Sequence, residues 1–166
     1  MAEWVVNASP VITLARAGHL DLLQHEAVQP RLPLAVRDEI LAGADHDPAR
    51  RAIQAGWGEV VRVDPVEAVV EWGLGRGETA VLSSALAHRQ WTAVLDDAEA
   101  RRCARSLGIT VVGTLGLVLR AARTKRIPAA APVVRALPDA GLYLTDAVVA
   151  RALAEVLGEP WPASGG

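Results

Sequence analysis

Short β-branched runs separated by helical stretches constrain this chain more than any other feature. Trp4-Val5-Val6, Glu59 to Val63, Thr92 to Leu95 and Ile109 to Val112 each read as strands. The crossover between two parallel strands takes a dozen or more residues, usually a helix laid on one face of the sheet. Alternation of this kind therefore predicts an α/β fold: a three-layer α/β/α sandwich with a central parallel sheet. No internal repeat or long linker interrupts the pattern. Residues 1–160 are expected to form one domain, and residues 161–166 a disordered tail.

Local signals place the helices. Ser9-Pro10 reads as an N-cap followed by an N1 proline, with a stop at Gly18 and a short helix over Leu20 to Gln24. Pro30 to Leu34 reads as a connection into a helix over Ala35 to Leu41. Asp45-His46-Asp47-Pro48 is a turn that starts a helix through Ala55, and Glu67 to Trp72 is helical until Gly73, Gly75 and Gly77 break it. Further helices are expected over Glu78 to His88, Ala98 to Leu107, Thr114 to Lys125, within Pro128 to Pro138, and over Thr145 to Leu157, with Thr145 as the last cap.

A chain of 166 residues that is 51% hydrophobic can bury a substantial core and is not disordered. It has no Phe and one Tyr, so Val, Leu, Ala and five Trp must fill that core. A net charge of −2 excludes no partner class. Lys125 is the lone Lys; the preference for Arg fits a GC-rich coding sequence and equally suits bidentate phosphate contacts. Cys103 is alone, which excludes an intramolecular disulfide. The N-terminus has no basic segment leading into an apolar one, and no apolar run reaches the ~20 residues of a membrane span. A cytoplasmic protein with no membrane partner is expected.

In open α/β sheets the binding crevice lies at the carboxyl ends of the strands, which singles out Asn7, Asp96, Asp97 and the Gly113-Thr114 turn. Asp96-Asp97 follows an apolar strand directly; it reads either as a pair of oxygen ligands for a hard cation or, through Asp96 with Glu99 three residues on, as a capping box. Glu78 shares a helical face with Leu82, Ala85 and Leu86, so it either exploits the helix N-terminus or turns toward a buried site. Of the neighbours Asp38 and Glu39, one should face inward. Asn7 either makes a turn or ligates through its amide oxygen. Arg101, Arg102 and Arg105, with Arg120, Arg123 and Arg126, form basic helix faces that are either solvated or grip phosphates. Gly73-Leu74-Gly75-Arg76-Gly77 is no dinucleotide fingerprint. His19, His25, His46 and His88 lack zinc-like spacing, and no nucleophile elbow is present.

Taken in order, these segments resemble the PIN domain, in particular a subfamily of predicted nucleic-acid-binding proteins related to toxin-type PIN ribonucleases. The similar stretches are Val5 to Ile12, Pro33 to Glu39, Gly75 to Ala80, Leu95 to Arg101 running on to Gly113-Thr114-Leu115-Gly116, and Gly141-Leu142-Tyr143-Leu144. The resemblance implies a Mg²⁺- or Mn²⁺-dependent endoribonuclease hydrolysing RNA phosphodiesters, often the toxin of a toxin–antitoxin pair, with a protein antitoxin as partner. It also implies Glu39, Glu78 and Asp96 as catalytic acids, with Asn7, Glu39, Glu78, Asp96 and Asp97 as metal ligands. Ser9 and Thr114 would assist at the metal or phosphate, and Arg101 would hold substrate. Asn7 departs from the family pattern, which usually has Asp there. Its amide keeps an oxygen but loses a charge. The alternative reading is therefore a catalytically weakened module that binds RNA or a protein partner without cleavage. Helices with Ala and Val at their ends would also suit a homodimer.

Overall fold

The computed structural model describes residues 3–24 and 28–162. His25 and the last four residues of the expected tail, 163–166, lie outside the described residues. Five strands form one parallel sheet: β1 Glu3–Val6, β2 Arg31–Pro33, β3 Glu59–Val61, β4 Trp91–Val94 and β5 Val111–Val112, in the order β3-β2-β1-β4-β5. The helices are α1 Ala8–Arg16, α2 Leu34–Leu41, α3 Pro48–Gln54, α4 Glu67–Val70, α5 Arg76–Ala87, α6 Ala98–Ser106, α7 Thr114–Arg123, α8 Ala130–Ala136 and α9 Asp146–Leu157, with a 3-10 turn over Leu20–Leu23. The result is the three-layer α/β/α sandwich that the alternation predicts.

The two central strands explain the apolar runs. Val5 and Val6 of β1 and Ala93 and Val94 of β4 are wholly buried, as strands covered on both faces must be. Helix α5 packs on β1, β2 and β4 through a buried side that includes Val81 and Leu82. From β1 the chain moves to β2 and β3 on one side. It then returns through α4 and α5 to β4 on the other. The strand order thus reverses between β1 and β4, and a crevice opens beyond their carboxyl ends.

Several boundaries differ from expectation. The segment Pro30 to Leu34 is not a plain connection, because Arg31–Pro33 pairs with β3 in register and touches β1 through Arg31. Three residues with a proline at the end carry almost no strand signal, since Pro33 cannot donate to a ladder. Helix α1 begins at Ala8 with Asn7 in the N-cap position, so Ser9 is inside the helix rather than capping it. Gly77 belongs to the first turn of α5 instead of the preceding loop.

Two polar anchors tie the helical layers together. The Asp47 carboxylate caps α3 by accepting from Ala49 N at 2.9 Å, and it pairs with Arg16 of α1 at 2.7 Å. Burial alone would raise the Asp47 pKa, but the Arg16 hydrogen bond and the α3 amides outweigh it and lower it. Arg126 donates to the carbonyls of Asp21 and Gln24, each at 2.9 Å, which commits that guanidinium to the scaffold. Trp161, where the tail was expected to fray, donates to Asp146 and lies against Arg135. No helix among the described residues is long and apolar enough to cross a membrane.

Candidate metal centre

The crevice at the strand reversal holds two adjoining polar groups, linked by the segment Asn7-Ala8-Ser9. The first consists of Asn7, Glu39 and Glu78. Asn7 leaves β1 with its amide buried at 4% exposure. Its Nδ2 donates to Glu78 Oε1 at 3.2 Å, while its Oδ1 is buried without a hydrogen-bond partner among the described residues. The carboxylate neighbour fixes the amide orientation, because only the NH₂ end can donate to Glu78.

Gly77 explains how these oxygens come to share one space. A Cβ placed on Gly77 would stand 2.9 Å from Asn7 Oδ1 and 2.9 Å from Glu39 Oε2. The missing side chain therefore leaves a gap on which both oxygens converge. Both members of the Asp38-Glu39 pair are exposed and line the cleft, but Glu39 is the one that reaches Gly77, whereas Asp38 is held by Arg37 at 2.9 Å. Burial, and then the negative charge of Glu78, raise the Glu39 pKa. Glu78 lies in the first turn of α5, so its two readings hold together: the helix N-terminus favours its charge and it also faces the cleft. The cleft measures about 440 Å³ and is lined by both glutamates, Asp38 and Arg76. Arg76 lies within the Gly75 to Ala80 stretch with no role of its own legible there, and only the fold places it at the cleft.

The second group surrounds Asp96. Its Oδ1 accepts from Thr114 N at 2.8 Å, and its Oδ2 accepts from Thr114 Oγ1 at 2.7 Å and from Ser9 Oγ at 3.3 Å. Thr114 is wholly buried at the start of α7. Arg101 donates to the Leu95 carbonyl at 3.3 Å. A side chain at Gly113 would collide with that guanidinium and stand 3.3 Å from Asp96 Oδ1, so Gly113 leaves room for Arg101 to pass beside Asp96.

The helix cap expected of Asp96 belongs instead to Asp97, which accepts from Ala100 N at 2.9 Å as the N-cap of α6. That bond occupies Asp97 Oδ2, and the residue is exposed. Asp96, one position earlier, is turned into the crevice. Arg126 does not flank it, being held at the 3-10 turn. Cys103 is buried, and that burial raises its thiol pKa.

Among the described residues, no three Asp, Glu, His or Cys side chains group closely enough to make a metal site by themselves. The donors at Gly77 nonetheless suit a hard cation. The two donors there are oxygens, one of them from the Glu39 carboxylate; a second carboxylate, Glu78, is held at the other end of the Asn7 amide, and the buried Asn7 Oδ1 lacks, among the described residues, the partner that its burial demands. Mg²⁺ is commonly held in this way, through one or two carboxylates with retained waters and substrate phosphate completing the shell.

Residues 3–157 match a family model described as a PIN domain. No curated protein matches the chain significantly.

Proposed function

This chain belongs to the PIN domain family, and from that premise we propose that it is a divalent-metal-dependent endoribonuclease. The observation that carries the reading is the convergence of Asn7 Oδ1 and Glu39 Oε2 beside Gly77, with Glu78 held against Asn7. Asn7, Glu39 and Glu78 would hold Mg²⁺ or Mn²⁺. Bound there, the ion supplies a water of lowered pKa and neutralises charge on the scissile phosphate.

The protein's own groups do the rest. Glu39 and Glu78 provide negative charge, and that of Glu39 is penalised by burial and by Glu78 while the site holds no cation. Asp96, fixed by Thr114 and Ser9, would orient a water or the substrate phosphate at the crevice floor. Asp97 has one oxygen left for an outer water. Arg101 and Arg76 offer guanidinium contacts to the phosphates of an RNA chain. A role as the toxin of a toxin–antitoxin pair, a protein antitoxin, a homodimer and a cytoplasmic location accompany this reading as family expectations.

Asn7 favours a second reading. One carboxylate fewer weakens the hold on a cation, so the module would bind RNA or a protein without cutting. Calorimetric titration with Mn²⁺ separates the two when wild type is compared with the Glu78→Ala, Asp96→Ala double variant, alongside RNA cleavage with and without chelator. Binding that vanishes in a folded double variant, with cleavage that stops in chelator, supports the nuclease. Cleavage that persists in excess chelator sinks it, and absence of Mn²⁺ binding even with RNA present supports the non-cutting module.

A further inference from the structure

A groove of about 490 Å³ runs from Asp96 along the open edge of β5, between α6 and α9. Its floor is apolar, with Val112, Leu144 and Val148 among the lining residues. Arg101 and Arg105 reach it from α6, one turn apart, and Arg151 from α9. Val148 is 48% exposed, so the apolar surface is open to solvent. Tyr143 lies between two leucines that line the groove and is itself 83% exposed, leaving its ring free at the rim.

We propose that this groove is the track for a single strand of RNA next to the carboxylate site. The inference rests on the nuclease reading for the choice of RNA over a peptide and for where the strand leads. Three guanidiniums, which outnumber the lining acids Asp96 and Glu155, beside an apolar floor match a chain that alternates phosphates with exposed base faces. A duplex fits poorly, because its bases are stacked and paired away from such a floor. An acidic helix would match the arginines as well, but continuity decides for RNA. Asp96 lines this groove and accepts from Ser9, two residues beyond Asn7, so a strand lying in the groove leads toward the candidate metal centre. Arg151 is not locked away, since its ion pair with Glu155 is long at 3.8 Å and exposed on both sides.

The test is fluorescence anisotropy with a labelled short oligoribonucleotide, single-stranded or annealed to its complement, in EDTA so that metal-dependent cleavage is silent. The wild type is compared with the Arg105→Glu, Arg151→Glu double variant, with Val148→Glu, and with Arg123→Glu, an exposed position outside the groove. Thermal unfolding checks that each variant is folded. The double variant should lose about tenfold in single-strand affinity and flatten the salt dependence by roughly 1.4 in log–log slope, as two lost phosphate contacts imply. Val148→Glu should also weaken binding, Arg123→Glu should change it less than about twofold, and single strands should bind better than duplex. Equal losses at Arg123 and in the groove, an unchanged groove variant, or a preference for duplex would overturn the proposal; an unchanged variant would point to a protein occupant. Wild type that binds through the groove but never cuts in Mn²⁺ removes the nuclease reading and keeps this one. Wild type that cuts while the groove variants bind and cut as well as it does has the opposite effect.

Discussion

The Asn7 amide donates to Glu78 Oε1 across 3.2 Å, so a residue at the end of the first strand holds the acid that opens a helix 71 positions later. The other end of the same amide is a buried oxygen without a hydrogen-bond partner among the described residues. Asn7 therefore both binds a carboxylate and presents an acceptor to whatever enters the gap beside Gly77. An aspartate could do only the second.

The Asn7→Asp variant tests that division. It removes the donor to Glu78 and adds a buried negative charge beside two glutamates. The metal-free protein should lose about 1–3 kcal/mol, a drop of several degrees at roughly 2–4 °C per kcal/mol. Mn²⁺ affinity should rise by about tenfold or more as the ligand set gains a charge. Scanning fluorimetry with and without Mn²⁺ checks both. A variant that is as stable as wild type without metal would contradict the role of the donor.

Glu39 should trade stability against binding. Its charged form is penalised by burial and by Glu78, so Glu39→Gln should raise the metal-free Tm by about 1–2 °C, a small effect because the side chain is partly exposed. The same variant should lose the stabilisation that Mn²⁺ gives the wild type. A fall in the metal-free Tm would show that Glu39 is held by contacts more favourable than its charge is costly.

Gly77→Ala is the sharpest probe of the gap. Glycine to alanine within a helix ordinarily stabilises by about 1 kcal/mol. Here the new methyl would stand 2.9 Å from both Asn7 Oδ1 and Glu39 Oε2. Mn²⁺ binding should be abolished and Tm should not rise. Full Mn²⁺ affinity in this variant would place the cation elsewhere.

The two hydroxyls on Asp96 should differ in weight. Thr114 Oγ1 is buried and 2.7 Å away, whereas Ser9 Oγ is exposed and 3.3 Å away. Thr114→Val should cost roughly 1.5–3 kcal/mol, the range for a hydrogen bond to a charged group, and Ser9→Ala less than about 1 kcal/mol. Urea unfolding of both variants decides, and equal costs would refute the ranking.

Asp47 supplies the pH prediction. Its folded pKa is lowered, so its contribution is present above the unfolded value of about 3.9 and is lost as pH falls through the folded pKa. Asn is an equally good N-cap, so Asp47→Asn isolates the charge. Wild type should be more stable by roughly 1 kcal/mol at neutral pH, a modest figure because Arg16 is half exposed. The difference should shrink steadily below about pH 4. A gap that persists at pH 2 would mean that packing, not charge, is responsible.

Local chemistry alone determined much of this protein. The apolar runs of β1 and β4 and the caps Asp47 and Thr145 are written in neighbouring residues, because period, capping and proline geometry act over a few positions. That was enough for the parallel sheet, and the order of short motifs was enough for the family. Only the tertiary structure decided that Arg31–Pro33 is a strand, that Asp97 rather than Asp96 caps α6, that Glu39 rather than Asp38 reaches Gly77, and that Arg126 serves the scaffold. Apart from the Asp97 cap, which bonds Ala100 three positions on, those choices pair residues far apart in the chain. Ser9 meets Asp96 across 87 positions and Asn7 meets Glu78 across 71. Such contacts form only after burial has brought the strand ends together, and no run of adjacent residues carries their energy.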